Sequence, residues 1–509
     1  MSYLLGIDIG TTAARAIVVE SETGEVIAGA TSEYPMATPQ PLWAEQNPHD
    51  WWHGTVEAVP RALAAAKATL GGNLEINAVG LSGQMHGVVL LDADGEVVTP
   101  APIWCDGRSQ AECDYITAHV GAARLIELTS NPALVGFSAS KLLWLRSHKP
   151  AEFERARKFL LPKDYIRYKL TGEFASEVSD ASGTLLFDVS NRRWSSEMLH
   201  LLDLDAALLP SVYESYQVSA RVSNTAADLL GLAVGTPVAG GGGDQAAGAV
   251  GNGVVRAGLV SSTIGSSGVV FAHSSEPVRD PVGRVHTFCH AVPGAWHVMG
   301  VTQGAGLSLR WFRDQVVGEL EMAAAQAAGR DIYEVMTNQA EQAPAGSDGL
   351  LFLPYLMGER TPHLDSQARG VWCGLTAAHT RAHLTRSVLE GVAYSLRDSL
   401  EILLEMGLPI AEIRASGGGG KSSLWRQIQA DVFGRDVVTV NAAEGPAYGA
   451  ALLAGVGTGV WSSVEEACDA TVKITSHVQP QTEAQAVYQR YYPLYRELYT
   501  RLASFYPKL

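Results

Sequence analysis

The sequence predicts an α/β protein made of two related halves, and three observations carry that expectation. Length is the first: 509 residues, 47% of them apolar, exceed what one compact domain holds, so two or three are expected. Composition is the second, because 52 glycines spread among Val, Ile, Leu and Ala suit many strand-to-helix turns. The third is an internal echo. "DIGTT" at 8–12 returns as "TIGSS" at 263–267, setting Ile9 over Ile264, Gly10 over Gly265, Thr11 over Ser266 and Thr12 over Ser267. The copies stand half a chain length apart, and each lies between β-rich runs. The halves are expected to join near Gly251–Gly258, giving domains over 1–253 and 254–509.

The elements follow in order. Leu4–Ile9 reads as a strand, Gly10-Thr11-Thr12 as a tight turn, and Ala14–Glu20 as the returning strand. Thr23-Gly24 turns the chain into a third strand over Val26–Ala28. Asp50–Leu70 is expected to be a helix, and Val88–Val98 a hairpin turned by Asp94-Gly95. Further helices are expected over Ala151–Lys158 and over Asp164–Leu170, the latter closing on Gly172. In the second half, Leu384, Val388, Leu389, Val392 and Leu396 form a helical stripe that Gly407 ends. The last helix carries Tyr488, Tyr491, Tyr492, Tyr495 and Tyr499 at helical spacing. Without flanking basic residues, packing onto the core is the better reading than base stacking.

Charge and cysteine usage narrow the function. A net charge of −16 with no Lys/Arg-rich block argues against nucleic acid as the main partner, since backbone phosphates need basic patches. A phosphate-bearing substrate must find its positive groups locally. The five cysteines are scattered and never spaced C-x-x-C, which fits reduced thiols in a cytoplasm better than a disulfide framework. The opening residues lack a basic segment and soon meet Asp8, unlike a signal peptide. No apolar run reaches the length of a membrane span. A small-molecule substrate is expected, without nucleic acid or membrane. Oligomeric state stays open, a homodimer among the alternatives.

Asp8-Ile9-Gly10-Thr11-Thr12 is the first chemistry-bearing stretch. Gly10 lets the backbone approach a ligand, Thr11 and Thr12 add hydroxyls, and Arg15 adds a positive charge on the returning strand. Asp8, at the strand end, is an oxygen ligand suited to Mg²⁺, directly or through water. An ordinary hairpin with an exposed acid would look similar, but the half-length echo favours a phosphate grip. That echo keeps Gly265, Ser266 and Ser267 and places Thr263 where Asp8 stands. Two turns holding one nucleotide, with the cation beside only one of them, would produce this asymmetry.

Gly240–Gly243 leads into Asp244 and Gln245. Asp is a common N-cap, yet four glycines are more than a cap requires and suit close approach to a substrate. An Asp that takes the proton of an attacking hydroxyl is a recurring part of phosphoryl transfer, and Asp244 is the candidate. Gln84-Met85-His86 and Trp104-Cys105-Asp106-Gly107-Arg108 offer an indole face and several hydrogen-bonding groups at two strand ends, as a polyol requires. His286 and His290 tempt toward zinc. On one strand at ~3.3 Å per residue they stand too far apart to share an ion, and the metal site is rejected.

"ASGGGGKSS" at 415–423 is one residue short of a P-loop, since Ala415 stands where that motif needs Gly. A P-loop NTPase using Lys421 is thus a rival reading, as is a non-catalytic nucleotide switch.

Taken together, "GIDIGTT", "GGGDQAAG", "STIGSSG", "LPYLMGERTP" (353–362) and "GGGGKSSLWRQIQADVFG" (417–434) resemble the FGGY carbohydrate kinases of the actin-like ATPase superfamily. "PLWAEQNPHDWW", "GLSGQMHG", "PIWCDGR", "LPKDYIRYKLTGEFASEVSDASGT" and "HTFCHA" are similar to the members that phosphorylate D-xylulose. The resemblance implies two ribonuclease H-like domains, with ATP, Mg²⁺ and a sugar meeting in the cleft between them. The first half would supply the sugar side and the second the nucleotide side. It implies Asp244 as the base and Asp8 as the acid near Mg²⁺. Met85, His86, Trp104, Asp106, Arg108 and Gln245 would lie around the sugar. Gly417, Gly418, Gly419 and Ser422 would form a wall along the adenosine, leaving Lys421 no P-loop role. Gln245 departs from the family's usual Asn, Ser266 from its Thr and Gly420 from its Ala. Ribulokinase, gluconokinase and glycerol kinase are the neighbouring readings.

Overall fold

The computed structural model describes residues 2–72, 74–441 and 445–509. The first half is built on a mixed sheet of β1 (Tyr3–Ile9), β2 (Ala13–Glu20), β3 (Val26–Glu33), β4 (Ile76–Gly83), β5 (Val218–Arg221) and β6 (Pro237–Ala239), in the order β5-β6-β4-β1-β2-β3. A short β7 (Gly242–Gly243) continues along β4. The second half repeats the plan with β8 (Gly258–Ile264), β9 (Gly268–Ser274), β10 (His286–Cys289), β11 (Trp296–Thr302), β12 (Ile410–Ser416), β13 (Val437–Val440) and β14 (Ile474–Val478). Their order is β10-β11-β9-β8-β12-β13-β14.

The echo read from ten residues is thus a repeat of a whole sheet. β1 pairs antiparallel with β2 and parallel with β4; β8 pairs antiparallel with β9 and parallel with β12. The outer strands match in direction too, β6 with β13 and β5 with β14. Even the neighbouring strand is echoed. Asp8 stands in register with Ser82, and Thr263 with Ser416, each serine followed by glycine. The central strands bury both faces, as expected of strands covered by helices on either side.

One helix of the second half covers the first sheet. Gly445–Gly457 packs on β1 and β4 and against the helix Asp244–Gly251. Its small residues allow the backbones to touch. A Cβ on Gly80 would lie 1.8 Å from the Ala450 carbonyl oxygen, one on Gly6 2.0 Å from that of Ala447, and one on Gly449 1.8 Å from that of Ala247. No side-chain rearrangement relieves a clash with a backbone carbonyl. Gly80→Ala is therefore expected to destabilise the fold by about 3 kcal/mol or more, at the upper end of overpacking costs. Differential scanning calorimetry against the parent measures it.

The expected helix at Asp50–Leu70 spans Pro48–Leu70, capped by Asn47 and closed on Gly71. Gly172 closes Pro162–Thr171 in the left-handed conformation, as its position predicted. The expected helix over Ala151–Lys158 is shorter, Pro150–Arg155. Ala156 is extended, and Lys158–Leu160 leaves to pair antiparallel with Val89–Leu91. Val88–Val98 turns at Gly95 but pairs only once across the turn, Leu91 with Val97. The terminal helix Thr482–Leu502 buries Tyr488, Tyr492 and Tyr495 against the core, where Tyr394 meets all three. Among the described residues no helix is long and apolar enough to cross a membrane.

Candidate active site

The two glycine turns occupy equivalent places at the ends of β1 and β8. Gly10 N donates to Ala13 O at 3.0 Å, and Gly265 N to Ser267 O at 2.9 Å. The first turn rests on a buried amide network. Gln46 Nε2 donates to Thr11 O (2.7 Å), Tyr34 Oη to Gly10 O (2.6 Å), and the Gln84 amide and Trp51 indole both donate to Gln46 Oε1. Trp104 Nε1 donates to Thr11 Oγ1 at 2.9 Å, so this predicted sugar-side indole braces a predicted phosphate-side hydroxyl.

A cavity of about 200 Å³ brings the sequence candidates together. Thr11, Met85, His86, Trp104, Asp244, Gln245 and Ser267 all line it, so residues from both turns face one carboxylate. Burial raises the Asp244 carboxyl to about 7, and the nearby charge of Asp8 pushes the same way, while Gln245 pulls against both. Asp244 is the first residue of its helix, and Gln245 hydrogen-bonds its carboxylate through backbone and side chain. A carboxylate titrating near neutrality inside a cavity is poised for proton transfer.

Asp8 is raised to about 6, again chiefly by burial, with the Ser82 hydroxyl and Arg15 lowering it. Its Oδ1 is buried without a hydrogen-bond partner among the described residues. A hard divalent cation fits such an oxygen. Thr263, the counterpart of Asp8, instead bonds Ser416 at 2.7 Å and offers no charge.

His86 adopts φ 70°, unusual for a residue with a side chain. Its ring is fixed on both sides. Nδ1 lies 2.7 Å from Gly183 O, which can only accept, so Nδ1 carries the proton and Nε2 is left as an acceptor. A Cβ on Gly183 would stand 2.5 Å from the imidazole, which makes glycine necessary there. Burial drives the His86 pKa down to about 3, and the Lys141 ammonium adds to this, so the ring is neutral at physiological pH. Lys141 itself is buried and donates to the His86 and Gly136 carbonyls, holding the unusual backbone in place.

The glycine run before Asp244 has a different role from the one expected. Close approach is needed to the protein's own atoms. Cβ atoms would lie 2.5 Å from Glu214 O at Gly240, 1.9 Å from Leu81 O at Gly241 and 2.9 Å from Met85 Cγ at Gly243. The run is pinned by a buried ionic cluster. Arg167 donates to Ala239 O and Gly240 O, and Gly243 N donates to Ser179 Oγ at 3.1 Å. Ser179 in turn donates to Glu177, which also caps the helix Val178–Ser182. Ser179→Ala should free Gly243 N, costing about 1–3 kcal/mol of stability. The loosened Asp244 is expected to lower kcat about tenfold with ATP affinity unchanged, as steady-state kinetics and calorimetry would read.

Asp106 and Arg108 do not reach the cavity. Asp106 is fully buried, accepting from Ala44 N and from Arg108, whose guanidinium also bonds Glu45 and stacks on Trp43 at 3.7 Å. Both side chains pair with each other and with the loop before the first helix, which holds them away from the cavity. Thr12 and Arg15 are exposed beside the first turn, and neither lines this cavity.

A larger cavity of about 640 Å³ lies on the other side of the second turn. Gly265 and Ser266 line it, whereas Ser267 faces the smaller one, so this turn forms the partition between them. Gly418, Gly419 and Ser422 line its floor, and Ser422 also caps the helix Ser423–Phe433. Gly417 does not line it, because it sits against Ile264 O at φ 70°. Gly419 packs on the Ile264 side chain, and Gly418 alone of the three has room, a Cβ there meeting only Ile264 O at 3.7 Å. Residues unforeseen in the sequence complete this wall. Tyr333, Glu334 and Asn338 come from the helix Ile332–Ala340; Lys421, the residue of the rival P-loop reading, lines it too. The smaller cavity likewise gains Phe137 and Arg360, the latter inside the quoted "GERTP" block but given no role there.

Comparison with known proteins accords with this geometry. The model of the FGGY carbohydrate kinase N-terminal domain matches residues 3–251, and that of the C-terminal domain residues 260–458. A xylulose kinase of Escherichia coli K12 is 41% identical over 451 residues, covering 88% of this chain and 89% of its own. The crystal structure of a xylulose kinase from Rhodospirillum rubrum superposes with a TM-score of 0.89 at 30% identity, over 99% of each chain. That of a ligand-bound xylulose kinase from Lactobacillus acidophilus gives 0.91 at 26% identity over the full length of both chains. With both domain models matched in order along one chain, this protein belongs to the FGGY family of carbohydrate kinases.

Proposed function

We propose that this chain transfers the terminal phosphoryl group of ATP to the terminal hydroxyl of D-xylulose, giving D-xylulose 5-phosphate and ADP. The observation that carries the reading is the meeting of Thr11, Ser267, Asp244 and His86 in one cavity, separated from a larger one by a single turn. Xylulose kinases of 36–41% identity covering nine-tenths of the chain support the choice of ketose.

In this mechanism ATP lies along Gly418, Gly419 and Ser422, with its phosphates threaded past Gly265 and Ser266. Thr11 and Ser267 donate hydroxyls to the phosphoryl group in transit. The acceptor hydroxyl points at Asp244, which takes its proton as the new bond to phosphorus forms. Neutral His86 receives a second sugar hydroxyl at Nε2, while Met85, Trp104 and Gln245 shape the pocket. Asp8 would hold Mg²⁺, whose charge neutralises phosphate oxygens when it is bound. Thr12 and Arg15 would meet the phosphates as the halves close, excluding water that competes as acceptor. Residues 1–253 then serve as the acceptor half and 254–509 as the nucleotide half. The five unpaired cysteines suit a cytoplasmic enzyme.

A coupled assay of ADP release across D-xylulose, D-ribulose, D-gluconate and glycerol tests the reading. D-xylulose is expected to give the highest kcat/KM. Preference for another acceptor would overturn the substrate, and sugar-independent ATP hydrolysis alone would overturn the kinase.

A further inference from the structure

An acceptor that presents one end to Asp244 needs a partner at its other end, and Arg360 stands where that partner is required. The residue reaches the smaller cavity from the second half, on a loop tied to β11. Glu359 accepts from Thr302 Oγ1 (2.5 Å), Gln303 N (2.9 Å) and Arg360 N (2.7 Å), and Thr361 N donates to Val301 O (3.0 Å). The backbone around Arg360 is thereby fixed. Its side chain is not: among the described residues the guanidinium makes no hydrogen bond and no ion pair, and it lines the cavity half-buried. A half-buried guanidinium that lines a cavity with its N–H groups uncommitted is open to an incoming acceptor.

The position along the cavity is also readable. A Cβ on Gly136 would lie 3.8 Å from Arg360 Nη2, and the next residue, Phe137, packs against His86 with ring centroids 4.8 Å apart. The charge of Arg360 is felt at His86 and His286, while Asp244 senses Asp8 and Gln245. Arg360 therefore stands beside Gly136, next to the His86–Phe137 ring pair.

Resting on the reading of this cavity as the acceptor site, we infer that Arg360 is a specificity-determining residue whose guanidinium holds the carbonyl-bearing end of the acceptor and so orients its far hydroxyl toward Asp244. Five N–H donors with no acceptor suit carbonyl and carboxylate oxygens, which accept without bringing a proton of their own. A polyol hydroxyl is a poorer match. The cavity thus ranks sugars with an oxidised end, ketoses and aldonates, above the corresponding polyol.

Calorimetric binding of D-xylulose, D-xylonate and D-xylitol to the parent, Arg360→Met and Arg360→Lys tests this, with ATP binding and melting measured alongside. The parent is expected to bind D-xylulose and D-xylonate at least tenfold more tightly than D-xylitol. Arg360→Met should lose about thirtyfold for D-xylulose, more for D-xylonate and little for D-xylitol, at unchanged ATP affinity; Arg360→Lys should fall between. Equal losses for all three sugars would overturn the inference. So would intact sugar binding with weakened ATP binding, which would assign the guanidinium to the phosphates. If no ketose is phosphorylated yet the ranking holds, the proposed function fails and the inference stands. If D-xylulose is phosphorylated without the ranking, only the inference fails.

Discussion

Asp244→Asn is expected to lower kcat for sugar phosphorylation about a thousandfold or more while ATP still binds with parental affinity. General-base removal accounts for about 10²–10⁴ in rate, and an in-line attack that has lost its aiming carboxylate lies at the upper end. The same substitution should stabilise the protein at neutral and higher pH. The folded Asp244 pKa, about 7, lies above its unfolded value, so its contribution to stability is present below the unfolded pKa and lost as pH rises through the folded one. An amide carries no charge to bury. A higher melting temperature at pH 8 beside a collapsed kcat would separate loss of chemistry from loss of fold. Near-normal turnover would remove Asp244 from the role of base.

Asp8→Asn is expected to cost about a hundredfold or more in kcat, with the loss concentrated in Mg²⁺ dependence. The variant needs more Mg²⁺ for half-maximal rate because an uncharged amide replaces the carboxylate suited to the cation. A second effect follows from the charge. Asp8 helps to hold the Asp244 pKa up, so its neutralisation lets that pKa fall. In the parent, kcat/KM should decline as pH drops below about 7, when Asp244 takes up its proton. In Asp8→Asn this acid limb moves to lower pH. An unmoved limb would mean that the two carboxylates do not interact in the working enzyme.

How much of this was legible in the sequence depended on whether a residue's meaning is local. The turns at Gly10–Thr12 and Gly265–Ser267 announced themselves, because a phosphate-compatible bend needs the same few residue types wherever it occurs. The pairing of Ser82 with Asp8 and Ser416 with Thr263 was invisible, since two-residue matches carry no signal without the register that aligns them. Asp106 and Arg108 misled for a physical reason. A polar cluster at a strand end reads the same whether it faces a ligand or itself, and its true partners, Ala44, Glu45 and Trp43, lie some sixty residues earlier. Gly240–Gly243 was read as an opening for substrate when its space is filled by Leu81, Glu214 and Met85, again from distant segments. Arg360 escaped because a single arginine within a family block says nothing of which way it points. The helix expected to run to Lys158 stopped early because Lys158–Leu160 gains strand partners seventy residues away.

The fold also shows why the site needs both halves. Ser267 and Arg360 come from the second, Thr11, His86 and Asp244 from the first, and the glycine-lined contact between Gly445–Gly457 and the first sheet holds them in register. The most direct test is a crystal structure with D-xylulose, MgADP and a fluoride mimic of the phosphoryl group in flight. The mimic should accept hydrogen bonds from both Thr11 and Ser267, with the sugar's terminal hydroxyl within about 3 Å of the Asp244 carboxylate. A mimic held by one turn alone, or a hydroxyl turned away from Asp244, would contradict the account.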